Sequence, residues 1–249
     1  VFDSARHSAP SLVGPDPTPA LLLFGTADRV APPDWEAMAA AVFPKGAPGN
    51  NARPLVWTPL AGDGSDRRWY RVRQGATTAV MVDHGIRCQA PPAEAEAFVN
   101  IGRHLHRRGL PVPRILRADP FAGLVFVEDR GNRHLQTHVA DLETFADREV
   151  LYREIIDLLI RMSIEGGRGF EPAWTWQTAR YDREVIVDKE CRYFMEAFVR
   201  DYCGLPVAFE QIAAESHMLA DGILAEKTVG FMHRDFQSRN ILMTEGRPW

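Results

Sequence analysis

The chain has few cysteines and no long apolar run. Its 249 residues contain three cysteines, Cys88, Cys191 and Cys203, without metal-ligand spacing, so we interpret them as reduced thiols of a cytoplasmic protein. No apolar stretch approaches the roughly 20 residues that cross a bilayer, and no secretory signal is visible. The formal net charge of −4 gives no reason to expect binding to nucleic acid or to an anionic membrane.

Lysine is also scarce, because nearly all basic residues are arginine and the lysines are only Lys45, Lys189 and Lys227. The G-x-S-x-G nucleophile elbow of α/β-hydrolases is absent from the sequence, so we discount a loose likeness of Leu21–Asp28 to that fold. The chain begins at Val1 and ends at Trp249, and we expect it to be cut from a longer reading frame. Its length suits one large domain or two lobes.

The strongest functional signal lies near the end of the chain, in the run F-M-H-R-D-F-Q-S-R-N-I-L-M. Here His233-Arg234-Asp235 is followed five residues later by Asn240. This H-R-D-x-x-x-x-N spacing is typical of the catalytic loop of kinases that transfer the γ-phosphoryl group of ATP. In such a loop Asp235 accepts the proton of the attacking hydroxyl and Asn240 reaches a magnesium ion. The alternative is a charged surface turn before a strand.

A second candidate site is the turn between two predicted strands, Leu55–Leu60 and Trp69–Arg73. The turn contains Asp-Gly, which is a hairpin signal in its own right. A kinase glycine loop is itself a hairpin whose tip covers the ATP phosphates. The charges of Arg67 and Arg68 either reach a phosphate or face water. We predict that the nucleotide-binding residues of this turn are Gly62, Asp63, Gly64, Ser65 and Arg68.

The next predicted strand, Thr77–Asp83, has no lysine, whereas a typical kinase carries there the lysine that pairs with the α- and β-phosphates. Three explanations stay open: an arginine supplies the charge, the site works without it, or the site is not catalytic. The predicted helix 93–108 follows, and Glu94 or Glu96 would stand where the glutamate of the kinase helix stands. With no lysine to pair with, we interpret this glutamate as solvated.

The order of elements predicts an α+β fold with two lobes, a small antiparallel sheet followed by a mainly helical part. We predict an extension with one short helix from Asp34 in residues 1–53, an N-lobe and hinge in 54–130, and an incomplete C-lobe in 131–249. Strand Gly123–Glu128 leads to the hinge, where Glu128 and Asp129 are placed as nucleotide-binding residues by order alone. Predicted helices of the second lobe are Leu142–Ile164, Asp182–Tyr202, with its aromatic residues in the core, and Phe209–Ala225.

These motifs together resemble the aminoglycoside phosphotransferase-like kinases, over roughly residues 54–249. Within that family the sequence looks most like the bacterial kinases that phosphorylate N-acetylmuramate or N-acetylglucosamine at the anomeric hydroxyl. Members of that group also lack the strand lysine. The residues that carry the resemblance are Gly62–Val72, Val80–Asp83, Gly109–Pro113 and His233–Asn240.

The resemblance implies a protein-kinase-like fold, ATP and Mg²⁺ as cofactors, Asp235 as the base, Asn240 as a metal ligand and a role in cell-wall sugar recycling. It also implies a second metal-binding aspartate, whose position would lie beyond Trp249. Two alternatives stay open. One is a kinase of the same fold with another small acceptor, such as an aminoglycoside, and the other is a non-catalytic nucleotide-binding or scaffold module. The oligomeric state is not predicted.

Overall fold

The computed structural model describes residues 34–43, 53–61, 67–85, 94–226 and 229–249. Two predictions lie outside these ranges: the strand candidate Leu21–Phe24 and the glycine segment with Gly62, Asp63, Gly64 and Ser65. The first described element is helix α1, Trp35–Val42, whose N-terminus is capped by the Asp34 carboxylate, which accepts a hydrogen bond from the Ala37 N–H at 2.9 Å.

An antiparallel sheet of five strands forms the first half of the described chain. Its strands lie in the order β1-β2-β3-β5-β4, so each strand pairs with an antiparallel neighbour. The β-branched and aromatic residues that fill these strands favour extended backbone. The strand bounds are Val56–Leu60 for β1, Arg68–Gln74 for β2, Thr77–Asp83 for β3, Ile115–Asp119 for β4 and Leu124–Glu128 for β5.

A different helix covers each face of the sheet, because side chains alternate between the two faces along every strand. On one face Tyr70 and Phe126 pack with α1, where the Trp35 ring lies 5.2 Å from that of Tyr70. On the other face Val82 and Val127 pack against α2, Glu94–Arg107. The short helix that begins after Asp34 therefore packs on the sheet.

The turn between β4 and β5 depends on Gly123, which has a φ of +70°. A Cβ atom there would lie 2.2 Å from the Gly85 carbonyl oxygen, and the Gly123 carbonyl accepts the His84 N–H at 2.8 Å. The backbone therefore leaves no room for a side chain at this position.

We expect Gly123→Ala to lower the free energy of unfolding by roughly 2–4 kcal/mol, because alanine meets both the positive φ and the backbone overlap. Gly204→Ala is the matched control. Its φ is +68°, and no described atom lies within 4 Å of a Cβ atom there, so we expect a loss of about 1 kcal/mol. Urea unfolding followed by circular dichroism measures both variants, and equal losses would contradict the steric argument.

The second half is mainly helical. It contains α3 (Leu135–Ala140), α4 (Phe145–Gly167), two π-helical segments (Val185–Cys191 and Phe194–Tyr202), α5 (Ala213–Ala225) and single 3₁₀ turns at Pro172–Trp174 and Phe209–Gln211. A short hairpin, β6 (Met243–Thr244) with β7 (Arg247–Pro248), ends the described chain. None of the helices in the described ranges is both long and apolar enough to cross a bilayer.

The structure corrects one prediction about this helical part. The predicted helix Asp182–Tyr202 is helical over residues 183–202, largely as two π-helical segments, but its aromatic residues are not in the core. Phe194, Phe198 and Tyr202 are 52%, 48% and 81% exposed and stack on one another with centroids 5.3 and 5.6 Å apart. Their four-residue spacing aligns them along the outer face, whereas Met195 faces the core with Val187.

Helix α4 packs through one apolar stripe. Leu151, Ile155, Leu158 and Met162 are buried, whereas Phe145 is 80% exposed. Phe145 is the first residue of the helix, directly after the N-cap Thr144, and it lies more than one turn before the buried stripe begins.

Helices α2 and α4 join the two halves. The buried His104 of α2 donates a ring N–H to the Gly166 carbonyl of α4 at 2.8 Å, and Arg108 pairs with Glu165 at 2.7 Å. The α+β class predicted from the sequence is confirmed by this arrangement. The lobe boundaries after residues 53 and 130 stay predictions.

Candidate active site

The catalytic-loop motif is anchored by the strand-like residues that follow it. Ile241 and Met243 are buried against Leu135 and against α4. The Leu135 N–H donates to the Ile241 carbonyl at 2.8 Å, and the Met243 N–H donates to the Arg133 carbonyl at 2.7 Å. The apolar run after the motif therefore fixes the loop to the start of α3.

Asp235 and Asn240 are in direct contact across the loop. The Asn240 Nδ2 donates to Asp235 Oδ2 at 2.6 Å and to the Asp235 backbone carbonyl at 3.0 Å. The Gln237 Nε2 donates to the other carboxylate oxygen, Oδ1, at 2.8 Å. Both carboxylate oxygens are thus oriented by amide groups of the same loop, while the Asp235 residue is exposed. The four-residue spacing between Asp235 and Asn240 produces this arrangement.

Arg234 connects the loop to the π-helical region. Its φ of +68° is unusual for a residue other than glycine, and such conformations cluster at functional sites. The Arg234 side chain lies 3.4 Å from the Thr178 hydroxyl and 3.6 Å from a carboxylate oxygen of Glu190. Tyr181 donates its hydroxyl to Glu190, and burial together with Glu190 raises the pKa of Tyr181 to about 12. These contacts hold the backbone turn that presents Asp235.

His233 precedes this turn and favours its neutral form. Desolvation by the surrounding protein lowers the pKa of His233 below its ordinary value of 6.5, against the opposing effect of Asp235. Its ring lies 6.0 Å from that of Phe236 in an edge-to-face arrangement.

The hinge segment after β5 is fixed by an arginine that the sequence does not single out. Arg71 of β2 donates two parallel hydrogen bonds to Asp129, with Nε–Oδ2 and Nη2–Oδ1 distances of 2.7 and 2.8 Å. It also donates to Asn132 Oδ1 at 2.7 Å, and the Gly131 N–H donates to Asp129 at 3.0 Å. The Asp129 side chain is only 8% exposed, so its carboxylate is committed to this network.

The pKa of Asp129 reflects the same contacts. Burial by itself raises the pKa of this carboxyl, but hydrogen bonds from Arg71, from the Gly131 backbone and from Thr78 outweigh burial. The pKa of Asp129 is therefore lowered below its ordinary value of 3.8. Asp129 is a carboxylate at neutral pH, and it ties β2 to the hinge.

The other predicted hinge residue, Glu128, pairs with Arg130 at 2.6 Å. The Arg130 guanidinium stacks on the Trp249 ring, with its carbon 3.2 Å from the centroid. The Arg130 carbonyl accepts the Thr244 hydroxyl at 2.6 Å, so the hinge also contacts the hairpin that follows the catalytic loop. Nucleotide binding by Glu128 and Asp129 stays a prediction, and it would have to use their backbone groups.

Arg68, also predicted to bind nucleotide, pairs with the buried Asp83 of β3 at 2.6 Å, although its own side chain is 64% exposed. The glycine segment predicted to cover the phosphates lies outside the described residues. Among the residues that the structure places, no cluster of three or more His, Cys, Asp or Glu forms a metal site.

A family model described as "Phosphotransferase enzyme family" matches residues 56–249. The chain belongs to this family. The match covers the sheet, the helical half and the H-R-D loop, so the fold is the protein-kinase-like α+β fold that the sequence predicted.

Curated relatives are similar over most of the chain but are longer than it. An N-acetylmuramate/N-acetylglucosamine kinase of Pseudomonas aeruginosa is 28% identical over 200 residues, which is 78% of this chain and 54% of the relative. Proteins of the same name from Neisseria meningitidis serogroup B and Caulobacter vibrioides are 28% and 26% identical, over 55% and 56% of their lengths. The chain spans about half the length of the curated relatives it matches.

Proposed function

We propose that the protein containing this chain transfers the γ-phosphoryl group of ATP to a hydroxyl group of an amino sugar. The observation that carries the proposal is the Asp235 carboxylate, exposed to solvent and oriented on both oxygens by Gln237 and Asn240. A group that accepts a hydroxyl proton in phosphoryl transfer must be accessible and held in one orientation.

Asp235 would accept the proton of the acceptor hydroxyl as the oxygen forms its bond to phosphorus. An anomeric hydroxyl is more acidic than an ordinary alcohol, so little base strength is required. Positioning therefore contributes most of the rate, and the amide contacts of Gln237 and Asn240 restrict the carboxylate to the required orientation. Arg234 supports the same turn through Thr178 and Glu190.

The side chains of this loop suit a magnesium ion that also binds the phosphates of a nucleotide better than they suit a magnesium ion held by protein atoms alone. Because the Asn240 Nδ2 faces Asp235, its Oδ1 is the atom directed away from Asp235 and suited to a hard cation. Mg²⁺ commonly takes one or two protein oxygens together with phosphate oxygens and water. When bound, the ion would neutralise charge on the phosphates.

The amino-sugar acceptor is proposed because all three relatives named above are N-acetylmuramate/N-acetylglucosamine kinases. A role in recycling cell-wall sugars in the cytoplasm would follow from the same substrate.

ADP release from Mg-ATP tests the proposal in the protein that contains this chain. We would compare N-acetylmuramate, N-acetylglucosamine and kanamycin as acceptors in a coupled assay. Release that depends on an N-acetyl amino sugar is the expected result. If ADP is released with kanamycin and with neither amino sugar, the acceptor is an aminoglycoside. If the protein binds ATP but releases no ADP with any of the three acceptors, the amino-sugar proposal is contradicted. Absence of ATP binding would favour the scaffold alternative.

A further inference from the structure

The position at which a kinase carries its phosphate-pairing lysine is apolar in this chain. Alternation along β3 directs Val80 and Val82 to the sheet face that α2 covers, and both are buried. In protein kinases a lysine of this strand is paired with a glutamate of the helix, and activity requires that ion pair. For phosphoryl transfer to occur here, a different element must supply the positive charge.

The structure contains an ion pair of this kind that starts from the neighbouring strand. Arg67 directly precedes β2, and its Nε lies 3.5 Å from Oε1 of Glu94 in the first turn of α2. The two side chains are 27% and 16% exposed, so the pair is partly shielded from solvent. The interpretation of Glu94 as a solvated residue was therefore wrong.

Arg67 lies on the same face of the sheet as the missing lysine would. Its guanidinium carbon is 5.9 Å from the centroid of the Trp69 ring, and Trp69 is the register partner of Val82. Both Trp69 and Val82 belong to the cluster that packs against α2. The Arg67 guanidinium thus lies beside the space that the side chain of a β3 lysine would occupy.

The glutamate of this pair is oriented from a second side. Glu94 Oε2 lies 3.8 Å from Nδ1 of His84, a residue only 3% exposed that directly follows β3. The His84 ring in turn packs edge-to-face on Phe98 of α2, with centroids 5.6 Å apart. Glu94 therefore lies between Arg67 and His84, with one carboxylate oxygen toward each of them.

We propose that Arg67 binds the phosphates of the nucleotide in place of the strand lysine, and that Glu94 is the residue that positions it. This inference rests on the proposed function. The guanidinium suits the role because its planar donors match phosphate oxygens. Contact with Glu94 through Nε directs one edge of the guanidinium to the helix.

Nucleotide affinity of Arg67→Gln, measured by calorimetry in the protein that contains this chain, tests the inference. We expect the affinity for Mg-ATP to fall about 10- to 100-fold, since a charge-assisted phosphate contact is lost. Affinity for adenosine, which has no phosphate, should stay within about twofold of wild type. Arg67→Lys keeps the charge and should recover most of the ATP affinity.

Glu94→Gln should weaken ATP binding about 3- to 10-fold. In a protein that already carries Arg67→Gln, it should cause no further loss of ATP affinity, because the two residues act as one unit. The matched control is Arg73→Gln, which removes the same charge from an exposed position of β2. Unchanged ATP affinity of Arg67→Gln would overturn the inference, and so would equal losses for ATP and adenosine. If the wild-type protein binds no ATP, the proposed function itself fails.

Discussion

Asp235→Asn is expected to lower kcat for phosphoryl transfer by about 10²- to 10⁴-fold, the range usual for loss of a general base. The affinity for ATP should stay close to that of wild type. Asparagine retains one side-chain oxygen that can accept from Gln237 or Asn240, so the loop geometry is largely kept while the proton acceptor is lost. Single-turnover rates with saturating ATP and acceptor measure the effect directly.

The control for this substitution is Asp157→Asn, which removes the same charge from an exposed position in the middle of α4. This control should leave kcat within about twofold of wild type, because a surface charge that is distant from the loop in the sequence has little effect on kcat. A kcat for Asp235→Asn within tenfold of wild type would show that Asp235 does not accept the proton, and the mechanism would have to be abandoned.

Arg71→Met is expected to lower the free energy of unfolding by roughly 2–4 kcal/mol. Removing one partner of a shielded ion pair leaves the other charge without compensation, and Asp129 is only 8% exposed. The Gly131 N–H and Thr78 still contact the carboxylate, so the loss should stay below that of a fully buried pair. Arg73→Met, on the exposed part of the same strand, should change stability by at most about 0.5 kcal/mol.

A double-mutant cycle with Asp129→Leu separates the ion pair from the packing of either side chain. We expect the double variant to be more stable than the sum of the single losses by about 1–3 kcal/mol. Additive losses, or an Arg71→Met variant as stable as the Arg73→Met control, would contradict the assignment of this pair as the link between sheet and hinge.

The same pair makes stability depend on pH in a defined direction. The pKa of Asp129 in the folded protein is lowered below 3.8, so the unfolded state binds more protons in that acidic range. The contribution of the Asp129 carboxylate to the free energy of unfolding is complete when the pH is above the ordinary pKa of 3.8. This contribution is lost as the pH falls through the lowered pKa of the folded protein. The stability difference between wild type and Arg71→Met should therefore narrow below pH 3.8 and remain constant near neutrality.

Local patterns in the sequence were sufficient for the sheet. The β3 run Thr77–Asp83 has the same bounds in the structure, because a run rich in β-branched residues and bounded by turn residues favours a strand. The H-R-D-x-x-x-x-N spacing predicts that Asp235 is the base and Asn240 a metal ligand. Both roles stay predictions, and the structure shows that the two side chains lie 2.6 Å apart.

Contacts set by strand register were beyond sequence patterns. Arg71 and Asp129 are 58 residues apart in the sequence. They come into contact because β2 and β5 both pair with β3, and both pairings are antiparallel. The interpretation of Glu94 as solvated was wrong for the same reason, because its partner Arg67, 3.5 Å away, directly precedes β2 and is distant from α2 in the sequence. The positive φ of Arg234 has no local signal either, because arginine rarely adopts it without tertiary contacts.

The measurement that tests the central claim most directly is ³¹P NMR of the acceptor after incubation of the protein containing this chain with Mg-ATP and N-acetylglucosamine. The proposed function predicts a new phosphate-ester resonance coupled to the anomeric proton of the sugar, absent with Asp235→Asn. An unmodified sugar beside intact ATP, or beside ATP hydrolysed to ADP and inorganic phosphate, would contradict phosphoryl transfer to this acceptor. A resonance that persists in Asp235→Asn would contradict the role of Asp235.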